Sequence, residues 1–126
     1  MIMSAINDKT YYEYRKELHK LYKDDVRMNG DICSRILELR DKNKYIEYID
    51  MAIQDYSISL EVSEDTPEQK VNDIVYEIYT RLAEFIRNNI DQLDIKDMDE
   101  FNNFIDPSNF LLCDVMVLGT SVTFSL

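Results

Sequence analysis

The chain has 126 residues, 45% of them apolar and 31% charged, with 25 acidic against 14 basic side chains and a net charge of −11. That length fits one folded domain, residues 1–126, and the apolar residues are too many and too regularly spaced for a disordered chain. A field of this sign repels nucleic acid and anionic membranes, and the longest apolar stretch, Phe110 to Leu118, is interrupted by Asp114 and is about half of what a bilayer span needs.

The first helix opens at Asp8 or Thr10 and carries Tyr11, Tyr14, Leu18, Leu21, Tyr22 and Val26 at spacings of three and four, one apolar face. Its other face mixes Lys9, Lys16, Lys20 and Lys23 with Glu13, Glu17 and Asp24. Asn29-Gly30 is expected to end it, with Gly30 in the left-handed position, and Asp31 to cap a second run through Ile32, Ile36 and Leu39. Ile46, Ile49, Ala52, Ile53 and Tyr56 extend that run, as one long bent helix or as two short ones.

At Tyr56 the period changes. Ser57-Ile58-Ser59-Leu60-Glu61-Val62-Ser63 alternates polar and apolar residues, which predicts a strand over 57–63. Thr66-Pro67-Glu68-Gln69 then reads as a capping box with Pro67 in the first helical position. The helix it starts, about 67–93, aligns Val71, Ile74, Val75, Ile78, Leu82, Phe85, Ile86, Ile90 and Leu93. This is the expected central helix.

A short helix from Asp97 to about Ile105 follows, with Met98, Phe101, Phe104 and Ile105 inward, and Asp106-Pro107 stops it. The tail has two readings. Strands at 112–118 and 121–126 form a hairpin about Gly119-Thr120, or Pro107 opens a buried helix ending at Gly119. The hairpin is preferred, because Val115 and Val117 are β-branched and because the strand at 57–63 needs partners. The fold class is α+β: three to five helices around the central one, packed on a small, mostly antiparallel sheet.

No residue pattern identifies a reaction. His19 is the only histidine, beside the charged face of the first helix, and reads as a solvated imidazole. Cys33 and Cys113 have no metal-type spacing and read as reduced, mostly buried thiols of a cytoplasmic protein. The segment Met1-Ile2-Met3-Ser4-Ala5-Ile6 lacks the basic and apolar regions of a secretory signal. The run Asp91, Asp94, Asp97, Asp99, Glu100 misses the calcium-loop spacing, and Gly30 and Gly119 are too few and too far apart for a phosphate-cradling loop. No cofactor, metal or catalytic residue is expected.

The charge is uneven. Residues 1–62 hold 10 basic and 12 acidic side chains, a net of −2, whereas residues 63–126 hold 4 and 13, a net of −9. Nine tyrosines accompany the acids, and Tyr12, Tyr45, Tyr48, Tyr76 and Tyr79 are expected to be partly exposed. Carboxylates beside exposed rings suit the recognition of Arg- and Lys-rich surfaces. The expected function is therefore a non-enzymatic inhibitor of a basic, nucleic-acid-binding protein. It would be an immunity or antitoxin protein of a toxic nuclease, or a phage or viral inhibitor of a host defence nuclease. The expected contact residues are Glu64, Asp65, Glu68, Asp91, Asp94, Asp97, Asp99 and Glu100, with Tyr76 and Tyr79. The competing expectation is an acidic structural or adaptor domain with an apolar interface.

Overall fold

Two helices, α1 (Asp8–Lys23) and α2 (Val26–Lys42), precede the first strand of the computed structural model, which describes the backbone of residues 8–23 and 26–126 and the side chains of residues 9–22, 32–53 and 55–126. The N-terminal Met1–Ile6 segment lies outside the described residues. β1 (Ile46–Ala52) and β2 (Ser57–Val62) follow, joined by a 3-10 turn at Ile53–Asp55. Then come α3 (Glu68–Asn88), a 3-10 turn at Ile90–Gln92, α4 (Met98–Ile105), a 3-10 turn at Pro107–Asn109, and the hairpin β3 (Asp114–Leu118) and β4 (Ser121–Ser125). All strand pairs are antiparallel, in the order β1-β2-β4-β3. Among the described residues four helices pack on a four-stranded sheet, an α+β fold.

The inward residues of the two central strands, Ile58, Leu60 and Val62 with Val122 and Phe124, are fully covered. Against them lie Ile74, Ile78, Leu82, Phe85 and Ile86 of α3, the predicted stripe, together with Leu18 and Tyr22 of α1, Ile32 and Ile36 of α2, and Phe101, Phe104 and Ile105 of α4. Tyr14 packs edge-on against Phe101, with ring centroids 5.1 Å apart, and joins α1 to α4.

Several boundaries differ from the sequence reading. Asn29, Gly30 and Asp31 lie inside α2, not between helices, and α1 already ends at Lys23. A glycine within a helix costs only about 1 kcal/mol, which packing of Ile32, Ile36 and Leu39 offsets. Likewise Thr10 lies within α1 rather than capping it.

The segment Ile46 to Ala52 is a strand, not a helix. Its apolar spacing of three comes from a β-bulge: Ile46 faces Val62 and Tyr48 faces Glu61, so Glu47 is an extra residue without an opposite number. The bulge turns both Ile46 and Ile49 to the core, which imitates a helical period.

The capping box is not formed. Pro67 has an extended backbone (φ −62°, ψ 146°) and is itself the residue before the helix. The Thr66 hydroxyl instead donates to the Ser63 carbonyl at 2.6 Å, and the Gln69 amide donates to Asp73. At the other end α3 stops at Asn88, and Ile90 and Leu93 pack from the turn beyond it.

For α4 the start is as expected, with the Asp97 carboxylate accepting from the Glu100 amide at 3.0 Å. Met98 points to solvent rather than inward. The tail is the hairpin, but β3 begins only at Asp114, and Leu112 and Cys113 enter the core before it. Gly119 takes φ 60° and Thr120 has no positive φ, the pattern of a type II′ turn.

Four variants test this packing. Ile78→Ala and Leu82→Ala are each expected to cost about 2–5 kcal/mol in urea unfolding, because the surrounding elements cannot collapse onto the cavity. Deleting Glu47 is expected to leave a regular strand with Ile46 and Ile49 still inward. Thermal melts should therefore show a small loss for that deletion, and a much larger one for deletion of Asp50, which throws Ile46 and Ile49 out of register with β2.

Candidate protein interface

The expected contact residues do not form one patch. Glu64 and Asp65 are exposed in the turn after β2, and Glu68 is exposed at the first residue of α3. Asp91, Asp94, Asp97 and Asp99 are exposed beyond the opposite end of α3, with Glu100 half-buried in α4. The helix between them has 21 residues, a length of about 31 Å. Tyr76 is exposed on α3, while Tyr79, one of the expected contacts, is buried and its hydroxyl donates to the Cys113 carbonyl. Of the other tyrosines named above, Tyr12 and Tyr48 are exposed and Tyr45 is half-buried beneath the Lys44 ammonium.

The acidic segment after α3 packs against the charged face of α1. The Asp94 amide donates to Glu17 at 2.8 Å, the Tyr14 hydroxyl donates to Glu100 at 2.5 Å, and Lys20 pairs with Glu17 at 2.8 Å. Together they border a depression of about 730 Å³ in which Glu13, Glu17, Asp94, Asp97 and Glu100 meet Lys16, Lys20 and Lys96. Burial raises the Glu17 carboxyl, but the bonds from Lys20 and from the Asp94 amide outweigh it and hold the group below its ordinary value. Burial, and then the Glu100 carboxylate, push the Tyr14 hydroxyl well above its ordinary value. Asp94, Asp97 and Glu100 are thus interleaved with lysines of α1.

A more uniform surface lies on the side of the sheet opposite the core. The register aligns Tyr48, Glu61, Ser121 and Leu118 in one row across all four strands. Asp50, Ser59, Thr123 and Met116 form the second row, and Ala52, Ser57, Ser125 and Asp114 the third. None of these twelve residues is buried. The central strands contribute Ser and Thr almost throughout, so the middle is low, with Tyr48 on one border and Met116 and Leu118 on the other. Asp50, Glu61 and Asp114 supply negative charge, and no Lys or Arg stands at any of the twelve positions. Hydroxyls of Ser121 and Thr120 donate to Glu61 and hold its carboxyl below the ordinary value. Asp114, at the end of its row, lies 3.7 Å from Arg15 of α1.

The polar phase of Ser57-Ser59-Glu61 and of Ser121-Thr123-Ser125 is visible in the sequence. That the two phases lie side by side is not. Sequence reasoning also missed what α1 does at the end of the sheet. Arg15 donates to the Ser125 and Leu126 carbonyls at 3.0 and 2.9 Å, and to the Tyr11 hydroxyl at 2.6 Å. His19 is no solvated imidazole: it stacks flat on Tyr56 with centroids 3.8 Å apart, and its Nε2 lies 2.9 Å from the Leu126 carbonyl oxygen. Both side chains serve the joint between α1 and β4.

Cys33 and Cys113 are free thiols, and burial pushes Cys113 up to about 12, against nucleophilic use. Among the described residues, no group of three or more His, Cys, Asp or Glu is placed to hold a metal ion, and no helix is long and apolar enough to cross a membrane. Comparison with protein-family models, with curated proteins and with solved structures finds no match.

The Glu17 arrangement has a signature in acid. A carboxyl depressed in the folded state contributes stability that is complete above its unfolded value, near 4.5, and is lost as pH falls through the folded value. Urea unfolding at a series of pH values should show Glu17→Gln less stable than the parent near pH 7. The difference should narrow progressively below about pH 4.5.

Proposed function

We propose that this is a small, acidic, non-enzymatic binding protein whose sheet face opposite the core receives a basic protein surface and blocks it. The observation that carries the reading is the twelve-residue face, with Asp50, Glu61 and Asp114, a floor of hydroxyls, and no Lys or Arg at its own twelve positions. Arg and Lys side chains fit such a floor: they can reach the carboxylates, bond to the serine and threonine hydroxyls, and lie against the Tyr48 ring. The net charge of −11 would speed the encounter at long range, while a few desolvated pairs hold the complex. A basic nucleic-acid-binding protein is the fitting target, a toxic nuclease met by its immunity or antitoxin protein, or a host defence nuclease met by a phage or viral inhibitor. The two free thiols suit a cytoplasmic setting.

A second reading, an adaptor with an apolar interface, draws on a different observation, the exposed Phe110, Met116, Val117 and Leu118 beside β3. The two readings separate on salt. The immobilised protein, offered a lysate of its native host at low and at high ionic strength, should retain a basic protein that is released as salt rises past the point where the screening length is about 8 Å. Asp50→Lys with Glu61→Lys should abolish the capture, Glu64→Lys with Asp65→Lys should leave most of it, and the captured nuclease should be inhibited at equal stoichiometry. Capture that ignores salt and survives the sheet-face variant would establish the apolar adaptor instead.

A further inference from the structure

The two borders of the sheet are built differently. β1 carries the Glu47 bulge together with Asp50, devices that discourage a further strand from adding. β3 has neither bulge, proline nor lysine, and after Asp114 its residues are Val115, Met116, Val117 and Leu118. Met116 is 60%, Val117 49% and Leu118 68% exposed. Phe110, 50% exposed, adds to the same side: it packs edge-on against Tyr79, which in turn meets Phe124, the partner of Val115.

The hydrogen-bond phase of this border follows from its neighbours. The Val62 amide donates to the Thr120 carbonyl and the Leu126 amide to the Tyr56 carbonyl, so even-numbered residues of β4 bond toward β2. In an antiparallel sheet the alternate residues, Ser121, Thr123 and Ser125, then bond toward Leu118, Met116 and Asp114. The N–H and C=O groups of Val115 and Val117 are left pointing away from the sheet.

We propose that this border pairs with β3 of a second copy, antiparallel, about a two-fold axis through Met116. In that register Val115 faces Val117 of the other copy twice over, and each such pair exchanges two hydrogen bonds, so all four free backbone groups are satisfied. The side chains are self-complementary as well: valine meets valine on the helix side, and Met116 meets Met116 on the open side. Each Asp114 faces a leucine. The two Asp114 carboxylates stand four residues apart along the strands, about 14 Å, which exceeds a screening length of about 8 Å. The acidity of the chain therefore does not oppose this contact locally, and the apolar run from Val115 to Leu118 offers a basic partner no carboxylate. A five-residue strand and its flanking rings fall short of the roughly 800 Å² per partner of a standard stable interface. The dimer should accordingly be in exchange with monomer in the micromolar range or weaker.

The register is tested directly by cross-linking. Residues on the two-fold in a non-hydrogen-bonded pair have Cα atoms about 4.5 Å apart, within reach of a disulfide. Under mild oxidation at high protein concentration, Met116→Cys should form a covalent dimer at least tenfold faster than Leu118→Cys, whose new thiol would face Asp114, and the parent should not cross-link. Sedimentation of the reduced full chain should show reversible dimerisation. Val117→Pro, which removes one outward N–H without touching the bonds to β4, should weaken it at least tenfold with an unchanged circular dichroism spectrum. Should that variant misfold, Met116→Lys supplies the same reading by setting two cations face to face. A protein that stays monomeric to about 1 mM overturns the proposal. So do equal cross-linking rates at the two positions, and dimerisation unaffected by either variant.

Discussion

The pairing of β2 with β4 is the constraint on which the rest of the structure depends. It brings together segments some sixty residues apart and places the last strand of the chain in the middle of the sheet. Ile58, Leu60, Val122 and Phe124 then form a continuous apolar floor, and every helix contributes residues to the core built on it. The same pairing fixes what the opposite side of the sheet presents. Once Leu60 stands against Val122, Ser59 must stand against Thr123 and Glu61 against Ser121. One register thus determines the core and the candidate interface together, because side chains alternate between faces with a period of two.

Helix α1 reinforces this centre from outside. Arg15 reaches the carbonyls at the end of β4, and His19 lies between Tyr56 and Leu126. Tyr56 itself has a left-handed backbone (φ 59°) that turns the chain from the 3-10 turn into β2, and the stacked imidazole covers its ring. Two polar residues of an amphipathic helix thereby become structural, so their presence at the surface pattern of α1 says nothing about chemistry.

Charge is redistributed by folding in a way that linear counting misses. The acidic segment 91–100 looks like an isolated negative cluster in the sequence, yet it closes onto Lys16 and Lys20 of α1. The three carboxylates of the open sheet face are spread through the sequence at positions 50, 61 and 114, and none belongs to an acidic run. Local density of like charge is costly in a fold, and packing against an oppositely charged helix relieves it. Sparse carboxylates on separate strands need no such helix: Glu61 accepts from two neighbouring hydroxyls and Asp114 lies 3.7 Å from Arg15.

Much of the architecture was legible because it is local. The alternation of 57–62 and 121–125, the stripe of Ile74, Ile78 and Leu82, the start of α4 at Asp97 and the glycine-led hairpin turn each follow from a few neighbouring residues. Where the reading failed, a distant contact had overridden a local pattern. The bulge at Glu47 gave β1 a helix-like spacing, the hydroxyl of Thr66 found the Ser63 carbonyl instead of an α3 amide, and Tyr79 was drawn inward by the Cys113 carbonyl. By itself the sequence determined the elements, the acidity and the absence of a recognisable reaction motif. Only the tertiary structure decided which polar phases share a face, which acids keep lysine neighbours and which strand is left with an open border. Those are properties of strand order and register, and residues adjacent in the chain do not specify them.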